Sequence, residues 1–379
     1  MPDSIHSTLS PSSAAIWLKC PPSALLNAKL PQEESEYAKE GTEAHALAEY
    51  KLKKLLGIKA DDPRSSFSYL TDEMEAHTTD YASFVYEKIK ALKESEKNPH
   101  VMIEQRLEFS AYVPEGFGYA DAVIISDDEI EIIDLKYGAG VLVDAEMNPQ
   151  FLIYALGALE LASALYDVKK VSLTAFQPRK ENISEFSISK EDLLKWAEEV
   201  LVPSAKLASS GGGDFSAGEH CRFCRSRFTC RKRTEYCLIA ARYDFSPPAK
   251  LTDAEIASIL PLLPAIEAWV SDIKDHALKC ALSGTEYEGF KVVLSRSSRK
   301  YTDEEEVIKV AQKEGFDPIE KTLLSVSKLE KLMGKEKFES ALSGLVIKVP
   351  GKPTLAPNSD KRKSIKQNAK SDFNENVNC

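Results

Sequence analysis

The chain has 379 residues and carries 49 Lys and Arg against 59 Asp and Glu, a net charge of −10 at pH 7. That balance excludes broad nonspecific adhesion to polyanions but leaves room for a local basic channel. The length suffices for two domains with ample core, and a composition of 43% hydrophobic and 28% charged residues is that of a globular protein. The first twenty residues lack a basic segment followed by a long apolar core, and no stretch reads as a membrane span, so a cytoplasmic protein without a membrane partner is expected. Seven cysteines, an odd number, fit reduced thiols or metal ligands better than a disulfide framework.

In chain order, residues 11–29 read as a helix entering at Ser12 or Ser13, followed by helices over 37–56 and 72–93. Residues 101–109 are a strand. Gly118 to Ser126 (GYADAVIIS) and Glu129 to Lys136 (EIEIIDLK) are two more strands, rich in Val and Ile and joined at Asp127-Asp128 as a tight hairpin. Residues 148–166 are helical, with Pro149 near the start where proline is tolerated. A strand at 171–177 and an amphipathic helix at 190–208 complete an α/β core with a mixed sheet. The Ser-Ser-Gly-Gly-Gly run at 209–213 breaks the chain before a cysteine cluster, and Ser246-Pro247-Pro248 breaks it again. Beyond lie a long helix over 252–283, a short strand pair near 287–296, and helices near 303–314 and 326–343. The Pro-, Lys-, Asn- and Ser-rich tail from Gly351 is expected to be disordered. These breaks divide the chain into domains at 1–245 and 246–350, with a tail at 351–379.

The hairpin carries the chemistry. Symmetry about Asp127-Asp128 places Val123 opposite Ile132, Ile125 opposite Ile130, and Asp121 opposite Asp134. Opposed Cβ atoms lie about 4.5–5.5 Å apart, so one divalent ion fits between the two carboxylates. Strand alternation puts Lys136 on the face of Asp134. Carboxylates so close repel each other, and a cation offsets that cost. Oxygen ligands suit magnesium or manganese, which polarise a phosphoryl oxygen and acidify water, while Lys136 orients that water or stabilises developing charge. Glu104, on the preceding strand, reads either as an acid supporting the metal ligands or, as the preferred reading, as a solvent-facing side chain.

Cys221-x2-Cys224-x5-Cys230 is a strong signal of a bound metal centre, because a C-x2-C turn lets two thiolates reach one centre. A fourth ligand is found either locally, at Cys237 or His220, which favours zinc, or at the distant Cys20. Spacing alone leaves zinc and an iron–sulfur cluster open. Arg222, Arg225, Arg227, Arg231, Lys232 and Arg233, interleaved with Phe223 and Phe228, suit either a nucleic-acid backbone with stacked bases or charge compensation of the thiolates.

These features together resemble the RecB-type nucleases of the PD-(D/E)XK superfamily, in the branch with a four-cysteine iron–sulfur cluster that includes the AddB nuclease domain and CRISPR-associated exonucleases. The resemblance covers residues 10–235. It rests on Cys20 before Pro21 with the later three cysteines, and on His45 in Gly41-Thr42-Glu43-Ala44-His45. It rests also on Gly118-x-x-Asp121, Asp134-Leu135-Lys136, and Gln150-x3-Tyr154, the last an i, i+4 pair on one helix face. Ala120 stands where the superfamily pattern has proline. The resemblance implies a restriction-endonuclease-like core and a 4Fe–4S cluster held by Cys20, Cys221, Cys224 and Cys230. It implies a magnesium or manganese ion held by His45, Asp121, Asp134 and the Leu135 carbonyl. Lys136, Gln150 and Tyr154 would act beside that ion, and the activity implied is a DNA exonuclease. The whole chain also resembles a phage-encoded family of unknown function, through Ser10-Pro11-Ser12, the His45 motif, residues 325–335 and Gly351-Lys352-Pro353-Thr354-Leu355. That implies a role in phage DNA replication or recombination beside a recombinase, single-strand-binding protein or helicase.

Overall fold

The computed structural model of the chain describes residues 7–30, 36–95, 98–138, 140–239, 252–293, 304–313, 326–342 and 345–346. The chain divides into two compact units, residues 1–280 and 281–379. The first unit is an α/β fold around a five-stranded mixed sheet in the order β1 (His100–Glu108), β2 (Phe117–Ile125), β3 (Glu129–Leu135), β4 (Lys170–Gln177), β5 (Asn182–Ser189). Pairing is antiparallel except between β3 and β4, which run parallel.

The helices of this unit are α1 (Ala14–Trp17), α2 (Ser23–Ala28), α3 (Glu36–Leu55), α4 (Asp72–Glu94), α5 (Pro149–Ala162), α6 (Lys190–Trp196), α7 (Val202–Ser210), α8 (Arg231–Ile239), α9 (Asp253–Ile259) and α10 (Leu263–Leu282), the last crossing the boundary. The helix expected over 11–29 is split into α1 and α2, because Pro21 and Pro22 cannot extend a helix begun before them. The helix expected over 190–208 does run on, but through a π turn at Ala197–Leu201, ending two residues before Pro203, which lacks a backbone donor. Among the described residues of 287–296, which end at 293, the expected strand pair is not found. The second unit contains α11 (Glu304–Lys313), α12 (Val326–Met333) and α13 (Lys335–Leu342). The helix expected over 326–343 is broken at Gly334, whose φ is +77°. The break at Ser246-Pro247-Pro248 and the tail from 351 lie outside the described residues.

Two helical layers cover the sheet. The face with Met102, Val123, Ile125, Ile130 and Ile132 packs on α5. That helix is apolar all round, and Phe151 through Leu159 are buried. Its start is fixed by Asn148, whose side chain accepts the Gln150 N–H at 3.1 Å, and by Pro149 in the first turn. The opposite face, with Ala122, Ile124, Ile133 and Leu135, packs on α3 and α4 through Ala48, Leu52, Tyr81, Val85 and Ile89.

Asp253–Leu282 is 30 residues long and apolar enough to cross a membrane by length and composition, contrary to the expectation that no stretch is. One of its acids docks on the cysteine segment: Asp272 accepts from Arg233 Nη1 at 2.6 Å and from Arg227 Nε at 3.2 Å.

Candidate metal centre and cysteine knuckle

The sheet forks at its centre. The β2–β3 ladder pairs Ile125 with Ile130, Val123 with Ile132, and Ala122 with Ile133, and there it stops. Beyond that point β2 stays paired only with β1, as far as Phe117 opposite Glu108. In turn β3 stays paired only with β4, through Leu135 opposite Phe176. Asp121 and Asp134 are the first residues past the split. The hairpin register is therefore the one expected, but the two acids face across an opening and not across a ladder. Asp121 fills part of that opening: its Oδ2 accepts the Leu135 N–H at 2.7 Å, taking over a bond the backbone has given up.

The opposite partner of Asp121 on β1 is Glu104, and it too leaves the ladder. The pairs on either side are Ile103 with Ala122 and Gln105 with Ala120. Glu104 has φ +50°, a left-handed conformation that a non-glycine residue adopts only under constraint. The break inverts the alternation on both strands. Met102 and Leu107, and likewise Val123 and Ala120, share one core although strict alternation would send them to opposite faces. This paired kink turns both acids toward α3. There His45 Nδ1 lies 3.1 Å from Asp121 Oδ1. One ligand atom each from His45, Glu104 and Asp121 lie within 4.8 Å of one another. Glu49, one turn after His45, lines the same cavity with Leu52, Tyr81, Ile103 and Leu135. Glu104 is thus a member of the cluster, correcting its reading as a solvent-facing side chain. The signal was present in the sequence: the apolar run Val101-Met102-Ile103 is broken by Glu104-Gln105-Arg106 before Leu107 resumes it.

Asp134 faces α5. Only 3% exposed, it lies with Oδ2 at 2.7 Å from Lys136 Nζ, and its Oδ1 accepts from Gln150 Nε2 at 3.3 Å. Lys136 in turn donates to Gln150 Oε1 at 2.9 Å, and Tyr154 OH is 3.5 Å from Gln150 Nε2. The structure therefore brings together all the expected residues of this site in two adjoining groups. His45, Asp121 and the Leu135 backbone belong to the first, joined by Glu104. Asp134, Lys136, Gln150 and Tyr154 form the second. Gly118 fits the same scheme, since a Cβ there would lie 3.0 Å from the Tyr154 ring.

The field of the acids is visible in the titration of the group. Burial alone would lower the His45 pKa, but Asp121 and then Asp134 outweigh it and raise it to about 9. Burial, with Asp121 beside it, lifts Glu104 to about 7. Burial also raises Asp134 to about 6, against the pull of Lys136. For Asp121 burial is overcome by His45, and the carboxyl is held below its ordinary value. Burial pushes the Tyr154 phenol far up, so it stays a neutral donor. The raised His45 reports the negative field of Asp121 and Asp134, while Glu104 and Asp134 are raised first by burial and then by neighbouring carboxylates, a repulsion that a cation would relieve.

The second cluster lies where α1 and α2 meet the cysteine segment at 219–230. Cys20, Cys221, Cys224 and Cys230 line one cavity, with His220, Ile16, Phe215 and Arg233 around them. All four are free thiols. Asn27 on α2 fixes the Cys224 turn: its Oδ1 accepts from Ser226 N at 3.2 Å and Ser226 Oγ at 3.1 Å, and lies 3.4 Å from Cys224 Sγ. Cys237 is not among the cavity's residues; its thiol is directed to the Ala265 carbonyl at 3.8 Å. His220 lines the cavity, with Nε2 3.0 Å from the Ser216 carbonyl. The basic residues of this segment divide in two. Arg227 and Arg233 are tied to Asp272, and Phe228 stacks on His276 at 5.5 Å. Arg222, Phe223, Arg225, Arg231 and Lys232 are exposed.

These features define an α/β protein with a histidine–carboxylate cluster in a sheet fork and a separate four-cysteine knuckle. The chain belongs to the family described as "Protein of unknown function (DUF2800)", which matches residues 6–363. Among solved structures it is similar to one described as "Crystal structure of SSO0001", over 49% of this chain and 95% of that one, at 15% identity and a TM-score of 0.22.

Proposed function

We propose that this protein is a divalent-metal-dependent DNA exonuclease with a PD-(D/E)XK core of RecB type. The observation that carries the reading is the fork, where His45, Glu104 and Asp121 converge to within 4.8 Å beside the Asp134–Lys136–Gln150 network. The donor set, one imidazole and carboxylates, suits magnesium or manganese. Such an ion supplies charge stabilisation to a phosphoryl oxygen and acidifies water. The chain's own residues do the rest. Asp134 and Gln150 hold the Lys136 ammonium in one place, where it orients the attacking water and offsets charge developing on the phosphate. Gln150 also positions the neutral Tyr154 hydroxyl, a donor for a neighbouring phosphate oxygen. The setting that fits is phage DNA replication or recombination, beside a recombinase, single-strand-binding protein or helicase.

The four cysteines fit a 4Fe–4S cluster. The four thiols line one cavity, while the Cys237 thiol is turned to the Ala265 carbonyl, which supports Cys20 as the fourth member of the set. With Cys20 as ligand the cluster ties the start of the nuclease region to its end and opposes a large loop-closure entropy.

The test is degradation of linear DNA by the full chain with magnesium or manganese. Activity that stops with chelator and is lost in both Asp121→Asn and Lys136→Ala supports the assignment; activity surviving both substitutions sinks it. The engagement of Asp134 by Lys136 favours one alternative, a DNA-binding scaffold that keeps the fold and cuts poorly. Tight single-strand binding with no cleavage under either metal would support that alternative.

A further inference from the structure

One face of α10 is left over by both clusters. Asp272, through Arg227 and Arg233, and His276, through Phe228, tie one side of the helix to the cysteine segment, and the Ala265 carbonyl on the same side receives the Cys237 thiol of α8. About a quarter turn away runs a stripe at heptad spacing: Leu263, Ile266, Val270, Ile273, Ala277 and Cys280. No residue of α10 is buried, and Leu263, Val270 and Ile273 are 41%, 38% and 37% exposed. A seam of this period, exposed at Leu263, Val270 and Ile273 and half-buried at Ile266, Ala277 and Cys280, suits a helix pair.

We infer that the α10 seam pairs antiparallel with the same seam of a second copy of this chain. The choice of partner follows from two properties of the stripe. Its side chains are large at one end and small at the other. Antiparallel pairing sets Leu263 against Cys280 of the partner subunit, Ile266 against Ala277 of the partner subunit, and Val270 against Ile273 of the partner subunit. Every layer then combines a large side chain with a smaller one, or two of middle size. Parallel pairing would stack Leu263 and Ile266 on themselves at one end and leave thin Ala277 and Cys280 layers at the other. The charges beside the seam agree. Exposed Glu267 and Lys274 occupy equivalent heptad positions, and the antiparallel two-fold brings each near its opposite on the partner, twice over. Parallel pairing would bring neither pair together in this way. A 20-residue helix spans about 30 Å, enough for six such layers.

Sedimentation of the full chain over a range of concentrations tests this. A monomer–dimer equilibrium is expected, abolished by Ile273→Glu. Because that substitution risks wider damage, the charge variants carry the decision. Glu267→Lys and Lys274→Glu should each weaken the dimer about tenfold, and the double exchange should restore it. A monomer at every concentration, a dimer indifferent to these changes, or a disulfide joining Cys280 to Cys280 of the partner subunit on oxidation would overturn the inference.

Discussion

The fork and the knuckle handle charge in opposite ways. At the knuckle each fixed cation that turns inward meets an anion: Arg233 and Arg227 share Asp272, and Asn27 satisfies the Cys224 turn. At the fork the carboxylates outnumber their partners, and His45, Glu104 and Asp134 are all shifted in the direction that relieves negative charge. On the proposed reading, one region is closed on itself and the other is open to a cation. The contrast suggests a division of labour in which the knuckle holds the fold and the fork acts.

The sharpest way to break this comparison is to damage each region and read both activity and stability. Lys136→Ala should lower DNA cleavage by about 10²–10³-fold, the scale of losing one preorganised charge-stabilising group, with little change in thermal stability. Cys20→Ser should do the reverse in kind: loss of iron and sulfide from the purified protein and a marked fall in Tm, whereas Cys237→Ser keeps the iron. If Cys237→Ser loses the metal and Cys20→Ser keeps it, the long-range ligand is wrong.

Smaller effects refine the fork. Glu104→Gln should weaken manganese binding about 10–100-fold while leaving the fold intact. Metal affinity should rise with pH, because Glu104, at about 7, and His45, at about 9, must shed protons before they can ligate. Calorimetry in buffers of different ionisation enthalpy should therefore detect proton release on binding near pH 7, and none would contradict the assignment of these ligands. The smallest effect is expected on the sheet surface away from both regions. Lys88 bridges Glu131 and Glu185 in a half-exposed network, so Lys88→Met should cost no more than about 1 kcal/mol and leave cleavage unchanged.

Much of the fork was legible in the sequence because a tight turn fixes register. Asp127-Asp128 set the pairing of Val123 with Ile132, and with it the meeting of Asp121 and Asp134 at one level of the sheet. Glu104 was not legible in the same way. The connection from β1 to β2 is the longer run 109–116, which fixes no register, and the kink inverts the alternation on which face assignments rest. β5 was missed because its sequence, Asn-Ile-Ser-Glu-Phe-Ser-Ile-Ser, is polar and half-exposed at a sheet edge. For the knuckle's fourth cysteine, spacing left Cys237, His220 and Cys20 open, and only the Cys20-Pro21 pattern of the family resemblance pointed to Cys20. Cys20 enters that cavity through tertiary packing of α2 against the later cysteine segment, which no spacing rule encodes.

The most direct measurement is the anomalous scattering of manganese in crystals of the protein. The account predicts a peak in the fork, bonded to carboxylate oxygens of Asp121 and Glu104 and close to His45. A peak held elsewhere, or a fork that takes no manganese at saturating concentration, would contradict it.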